Sequence, residues 1–525
     1  MTESERKPLA GESVAIVGAG FGGLSAACHL ADRGADVEIL ERHDRVGGVA
    51  NRIEVDGFSF DTGPSWYLMP ETFERFFGAF DRSPDDYYEL TRLDPQYRLF
   101  WRDGDRADVT ADLDAVRDLF ESYEDGAAAA LDRYLEDAAE AYEVGMERFV
   151  YKDRSRLRDL VDLDVARSAR GLTLLGTMDD HVAEFFEEPK LQQIVQYSLV
   201  FLGGSPHNTP ALYSLMTHVD LELGVYYPKG GIYNVVEGIA DLSRDLGVRF
   251  STGEAVEWID RAGEGFHLET ESRTLSPDIV VCNANPAHVE KDLLPPAGRR
   301  YGEDYWDSRT YAPSAYMLYL GVSGSVDPLK HHTLVLPEDW DPHFASIFDD
   351  PQWPDDPAYY VNVPSLTDDA VAPEGYEAVI VLVPVAPGLT DDGAAREQFR
   401  DRVLADLAEY TGVDLRDRIV VEREASVSTF AEQFGAPKGT DLGLAHTLRQ
   451  TGPLRPVRRG RFEGIYYTGS FTGPGIGVPM TLVSGEPTAD PVVAHGRPSE
   501  ADAPLQRPVA TLGPPLCGSA PSASC

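Results

Sequence analysis

Cationic side chains are scarce in this 525-residue chain, and lysine above all. Lys and Arg number 46 against 88 Asp and Glu, only seven of the 46 are Lys, and the formal net charge is −42. Such a chain repels phosphate backbones, which excludes nucleic acid as a partner. The acids are spread through the sequence, as in "DRSPDDYYEL" and "FDDPQWPDDP", rather than gathered in one block. That spread describes a solvated acidic shell on a folded protein, not an acidic tail. A salt-rich cytoplasm is the expected setting, because at molar salt the Debye length is about 3 Å and self-repulsion is screened.

Cysteine is equally sparse: Cys28, Cys282, Cys517 and Cys525 are all there is, and none sits at a CxxC or other metal-binding spacing. They read as small buried apolar residues in a reducing cytoplasm, with no metal site. Long hydrophobic runs are missing too. Residues 191–219 and 464–485 lack Asp, Glu, Lys and Arg, but both are broken by Gly and Pro. Neither supplies the ~20 mainly apolar residues of a membrane span. They read as buried core or as the wall of an apolar tunnel. The start, "MTESERKPLAGES", is polar and has no signal-peptide pattern. No nucleophile or metal constellation appears. His331 and His332 read as structural; His207 and His218, within the uncharged run, read as satisfied buried histidines, with assistance to proton loss as the alternative; no catalytic acid or base is assigned.

What is present begins at Val14. "VAIVGAGFGGL" matches GxGxxG at Gly18, Gly20 and Gly23, following an apolar strand over 13–17 and opening a helix over 22–33. Gly18 permits the tight turn, Gly20 lets backbone approach a pyrophosphate, and Gly23 lets helix pack on strand. A second strand over 36–40 leads to Glu41, 18 residues after Gly23, the place of a ribose-hydroxyl acceptor. Arg42 alone would hint at a 2′-phosphate, but the acid favours a free ribose. Gly47 and Gly48 follow within "RHDRVGG", so a second loop approaches the diphosphate and FAD is expected rather than NAD. The fold class is therefore α/β, a Rossmann-like FAD-binding unit.

Residues 110–220 read as mainly helical, 224–300 as strand, helix, strand, hairpin and buried strand, and 310–455 as strands with one clear helix. A strand, a Gly-rich turn and a helix close the folded part. From 491 to 525, seven Pro with two acids and two Arg mark a disordered tail.

"VGAGFGGL…E…GG" resembles the dinucleotide motif of amine-oxidase-like flavoproteins. With "DGFSFDTGPSWYLMP", "YYPKGGIYNVVEGIADLSRDLGV", "VCNANPAHVEKDLLP", "HHTLVLP", "LVPVAPG" and "YYTGSFTGPGIGVPMTLVSGE", the resemblance narrows to the bacterial and archaeal phytoene desaturases, over residues 13–488. It implies a discontinuous FAD-binding domain (1–110, 224–300, 456–490). A mixed α+β substrate domain with a helical insertion (111–223, 301–455) would contact the membrane peripherally. It implies hydride transfer from a C40 polyene, phytoene or a related carotenoid, to FAD, with a quinone or oxygen as electron acceptor. Cofactor contacts are implied for Gly18, Gly20, Gly22, Gly23, Glu41, Arg42, Gly47 and Gly48. They are also implied for Gly63, Pro64 and Ser65, for Val256, and for Gly469, Gly477, Val478 and Met480.

Two departures stand out. The family's Arg after the glycine pair is Val49 here, so either Arg52 takes over its role or the phosphate goes without an arginine at this turn. Pro487 and Pro491 interrupt the C-terminal flavin helix. The apolar tunnel is expected along Trp66–Met69 and Leu199–Leu202. A later-pathway desaturase, a carotenoid isomerase, a flavin amine oxidase and a non-catalytic prenyl-binding escort are the other readings.

Overall fold

The computed structural model describes residues 7–146, 150–151, 176–447 and 449–494. A five-stranded, all-parallel sheet runs in the order Ile465–Tyr467, Ile279–Cys282, Ser13–Val17, Asp36–Glu41, Arg249–Thr252. Its strands Ser13–Val17, Ile279–Cys282 and Ile465–Tyr467 are almost continuously apolar, as a sheet covered on both faces requires, whereas Arg249–Thr252 at the edge has no buried residue. On one face Val14, Ile16, Ile39 and Val281 pack against the helices Phe21–Asp32, Ile232–Asp245 and Gly485–Ala494. On the other, Ala15, Val17, Leu40 and Val280 meet Ile259, Phe266 and Leu268. Those three belong to a small antiparallel sheet of Val256–Ala262, Gly265–Thr270 and Thr274–Leu275. The chain order reverses about Ser13–Val17, and the crevice at the carboxyl ends of strands at such a reversal is where ligands bind. Cys28 and Cys282 are buried around this sheet, and burial pushes the Cys28 thiol up to about 12, which fits an inert residue.

The second sheet has seven strands, in the order Ile419–Ala425, Ser314–Ser323, Tyr376–Val385, Tyr359–Asn362, His332–Leu336, Tyr97–Trp101, Arg106–Val109. All its pairings are antiparallel except that of His332–Leu336 with Tyr97–Trp101. The segment 1–110, expected within the FAD-binding unit, thus gives its last two strands to this other sheet. The helices Leu113–Tyr123, Ala127–Gly145 and Pro189–Gln196 bury one face, and Gly393–Thr411 buries the other. The expected helical region is therefore mainly helical where it is described, with loops at 183–188 and 203–210; residues 147–149 and 152–175 lie outside the described residues.

The C-terminus corrects one boundary. Helices Val478–Val483 and Gly485–Ala494 are separated only by Ser484. Pro487 falls in the first turn of the second, where its missing N–H costs no helical bond. Pro491 lies inside that helix, and Val492 beyond it is fully buried. The folded chain thus continues past 491, where the disordered tail was expected to begin. Residues 495–525, with Cys517 and Cys525, lie outside the described residues.

Candidate active site

The carboxyl edge of the parallel sheet gathers the glycine motif. Gly18 follows Val17 with φ +97°, and its N–H donates to the Leu40 carbonyl at 2.8 Å. Gly20 is the N-cap of the helix Phe21–Asp32 and bridges to Gly47, whose N–H donates to the Ala19 carbonyl at 2.8 Å. A helix start offers free N–H groups and the positive end of a dipole. Gly47 and Gly48 both need positive φ, +118° and +62°. Glu41 ends its strand 4% exposed, its two oxygens accepting from the Ala19 and His43 backbone N–H at 2.8 and 2.9 Å.

These residues open onto one cavity of about 1040 Å³. Gly18, Gly20, Glu41, Arg42, Gly47 and Gly48 line it. So do Gly63, Pro64, Ser65 and Val256, and from the C-terminal loop Gly469, Gly477, Val478 and Met480. Gly22 and Gly23 do not: they sit behind the wall and serve packing. A methyl at Gly22 would stand 2.9 Å from the Gly469 backbone nitrogen, and one at Gly23 2.2 Å from the Gly18 carbonyl oxygen. Val49 lines the cavity, but Arg52 turns away from it. Its guanidinium donates to the Gly230 carbonyl at 2.7 Å and to Asn234 Oδ1 at 2.5 Å, over the Tyr233 ring. Arg52 thus does not stand in for the missing arginine.

Beyond the glycine cradle the wall is apolar, with Trp66, Leu68, Met69, Met146, Val200, Leu212, Leu215 and Met216. Tyr67, expected with its neighbours in the tunnel, faces the core instead: its hydroxyl meets that of Tyr88 at 2.9 Å and its ring stacks on Phe73. Leu199 is likewise core. Among the histidines, His207 pairs with Asp341 and His218 with Glu222, both away from the cavity. His331 and His332 are buried, bonded to Thr367 and Tyr360.

Among the cavity-lining residues with polar side chains that escaped the sequence reading are Asn283, Tyr213, His446, Arg455 and Asp441. Asn283 directly follows the strand Ile279–Cys282 and points its amide between Gly20, Gly22 and Gly469. His446 is 3% exposed and accepts the Ile476 N–H at 3.0 Å on Nε2, which leaves Nδ1 to carry the proton toward the Tyr213 hydroxyl. Burial, aided by Arg455, holds this imidazole neutral, well below its ordinary range. Arg455 itself is buried, and burial lowers it to about 10. Asp441 lines the cavity; its Oδ1 has no hydrogen-bond partner among the described residues, and burial raises it to about 7. The lone signal in the sequence was the "VCNANP" run around Asn283; the others come from loops far apart in the chain.

The chain matches the model of the flavin containing amine oxidoreductases over residues 21–493. It is 59% identical to the carotenoid 3,4-desaturase of Haloarcula japonica, over 92% of this chain and 99% of that protein. It is 35% identical to the zeta-carotene-forming phytoene desaturase of Myxococcus xanthus, over 90% and 92%. A solved oxidoreductase from Methanosarcina mazei superposes with a TM-score of 0.62 at 15% identity, over 91% of this chain and all of that one, which speaks for the fold. The chain belongs to the flavin containing amine oxidoreductase family. Within it, it groups with the carotenoid desaturases and is an FAD-dependent oxidoreductase.

The residues present fit FAD. Gly18, Gly20, Gly47 and Gly48 leave a cradle at the helix start that added methyl groups would obstruct: at Gly20 a methyl would lie 2.8 Å from Asn283 Nδ2. There the diphosphate would meet backbone N–H groups, with the adenosine ribose at Glu41 and the adenine beside Val256. The isoalloxazine would lie between Gly63–Ser65 and the loop from Gly469 to Met480.

Proposed function

We propose that this flavoprotein desaturates a long carotenoid, removing two hydrogens at a 3,4-type position late in carotenoid assembly. The supporting observation is the apolar cavity that continues from the flavin cradle along Trp66, Met146, Leu212 and Met216. A hydrocarbon gives a protein no group to hydrogen-bond, so such a site must hold it by shape and by dry apolar contact. The 59% identity to a carotenoid 3,4-desaturase favours the later step. Phytoene as substrate is the second reading, supported by the 35% match to a phytoene desaturase.

When bound, FAD supplies the hydride acceptor. The chain supplies placement: Trp66 and Met69 follow directly on the Gly63–Ser65 turn, so a polyene lying on them also lies beside the flavin cradle. The apolar wall excludes water and keeps competing reactions out. His446 is neutral and its ring is fixed at both nitrogens, so it holds Tyr213 and the Ile476 backbone in place rather than carrying a charge. Exchange of so apolar a substrate requires contact with a bilayer surface, and Leu454, exposed and on the cavity wall, stands where such contact is open to it. No described helix is long and apolar enough to cross a membrane. We assign re-oxidation to a quinone or oxygen.

The test is a substrate panel in concentrated salt with flavin-loaded protein: phytoene, and a carotenoid still saturated between C3 and C4. Loss of two hydrogens from the second alone is the expected result. Turnover of phytoene alone moves the assignment to the early step. An isomerised product of unchanged mass assigns an isomerase, and flavin binding with no product from either polyene overturns the desaturase reading.

A further inference from the structure

The cavity contains a buried cation that has no counter-ion among the described residues. The Arg455 guanidinium donates to the Leu444 carbonyl through both terminal nitrogens, at 3.3 and 2.9 Å, and to the Ser470 carbonyl at 3.3 Å. Among the described residues its Nε has no hydrogen-bond partner and no carboxylate forms an ion pair with it. The residue is 4% exposed and lines the cavity. A guanidinium stripped of water is ordinarily kept only with an opposite charge beside it. Here 88 acidic residues were at hand to supply one. The missing partner therefore belongs to something that enters the cavity.

Position narrows the partner. A methyl at Gly475 would lie 3.2 Å from Arg455 Cζ and 2.8 Å from the His446 ring. His446 in turn joins the Ile476 backbone to Tyr213, which stands beside Leu212 and Leu215 of the apolar wall. Arg455 is thus placed where the loop from Gly469 to Met480 meets the apolar wall.

We propose that Arg455 is the fixed counter-charge for the isoalloxazine as it is reduced. This rests on the flavin placement and desaturase reading above. In the reaction one substrate C–H bond gives its hydrogen and both electrons to the flavin, the neighbouring C–H loses a proton to solvent or a base, and a C=C bond forms. The ring system thereby gains one negative charge. A preorganised cation at that end stabilises the charge without reorganisation at the moment of transfer. The neutral His446 beside it leaves Arg455 as the only positive charge of the pair. Arg455 is a positioning and charge-compensating residue; it does not exchange protons with the substrate.

The test is the flavin midpoint potential of the holoprotein in Arg455→Gln, which keeps N–H donors and drops the charge, and in Arg455→Lys, which keeps the charge. Arg455→Gln should disfavour the reduced flavin at least tenfold, a fall of about 30 mV for a two-electron couple. Oxidised FAD should bind within a few-fold of wild type, and Arg455→Lys should recover most of the potential. An unchanged potential in Arg455→Gln overturns the proposal. So does a large loss of oxidised-FAD affinity with no shift in potential, which would make Arg455 a diphosphate ligand. If Arg455→Gln does not fold, an Arg455→Lys potential lower by about 30 mV or more in a flavin-loaded protein also overturns it. Wild-type protein that binds no FAD would instead sink the reading beneath it.

Discussion

The indole of Trp66 lies flat on the imidazole of His332, with ring centres 4.0 Å apart and planes within 8°. Trp66 forms cavity wall, and His332 is fully buried behind it, bonded through Nδ1 to the Tyr360 hydroxyl at 2.6 Å. Burial holds the imidazole well below its ordinary range, so the pair is a stack of two neutral rings. Replacing Trp66 with alanine should cost about 3 kcal/mol, at the low end for a large aromatic because the ring already faces a cavity. Trp66→Phe should keep most of the stability. Denaturant melts measure both; a loss of under about 1 kcal/mol in the alanine variant rejects the stack as a structural element.

Glu41 spends both carboxylate oxygens on backbone N–H groups. In Glu41→Gln one of those N–H groups would face an amide NH₂. A hydrogen bond to a charged group is worth about 1.5–3 kcal/mol, so FAD affinity should fall roughly 10- to 100-fold. Fluorescence titration of the apoprotein with FAD reads this directly. Affinity within twofold of wild type would remove Glu41 from the cofactor site.

Two glycines should respond in opposite ways. At Gly23 an added methyl would meet the Gly18 carbonyl oxygen at 2.2 Å, and backbone cannot swing aside as a side chain can. Gly23→Ala should destabilise the protein by at least ~1–3 kcal/mol and empty it of flavin. Gly78, at the end of the helix Pro70–Gly78, has nothing within 4 Å of such a methyl. Gly78→Ala should be neutral or stabilising by about 0.5–1 kcal/mol. Flavin absorbance per protein and thermal melts separate the two.

Asp441 gives a pH dependence whose sign follows from its burial. Its folded-state value is raised from 3.8 to about 7, so between these limits the folded protein binds a proton that the unfolded chain has released. Its contribution to stability is full in acid and declines as pH climbs toward about 7. Asp220, raised to about 7 by burial, adds a decline of the same sign. Asp441→Asn should flatten part of this slope. Melting temperature across that range, in the wild type and the variant at constant salt, is the measurement. Parallel curves would show that Asp441 does not titrate between the two states.

The parallel sheet was legible because its evidence is local. The "SVAIV" strand, the glycine turn and Glu41 lie within about thirty consecutive residues, and glycine needs at such turns are set by backbone sterics alone. The long strands 314–323 and 376–385 announced themselves by unbroken apolar runs. Pairing was not legible: nothing near Tyr97 shows that its strand joins a partner more than 230 positions on, at Thr333–Leu336. The same distance hid the polar groups of the cavity. Tyr213 and His446 meet across 233 positions, and Arg455 sits in a stretch rich in other arginines, where a buried cation looks like its solvated neighbours. Gly22 and Tyr67 show the converse: adjacency in a motif put them on the cavity wall, while the geometry of helix and turn sent them behind it.

Arg52 has further weight because of where it does not go. With that guanidinium committed to Gly230 and Asn234 and a valine at 49, the turn after Gly48 would have only main-chain amides to offer the cofactor. An ion pair at that turn would slacken with every increment of potassium chloride. Amide contacts act over distances shorter than any ionic atmosphere can intervene, so retention of the cofactor there should be indifferent to brine strength. A chain this acidic would then combine two opposite responses to dissolved ions: a shell whose self-repulsion they screen, and at that turn a cofactor contact that they leave alone.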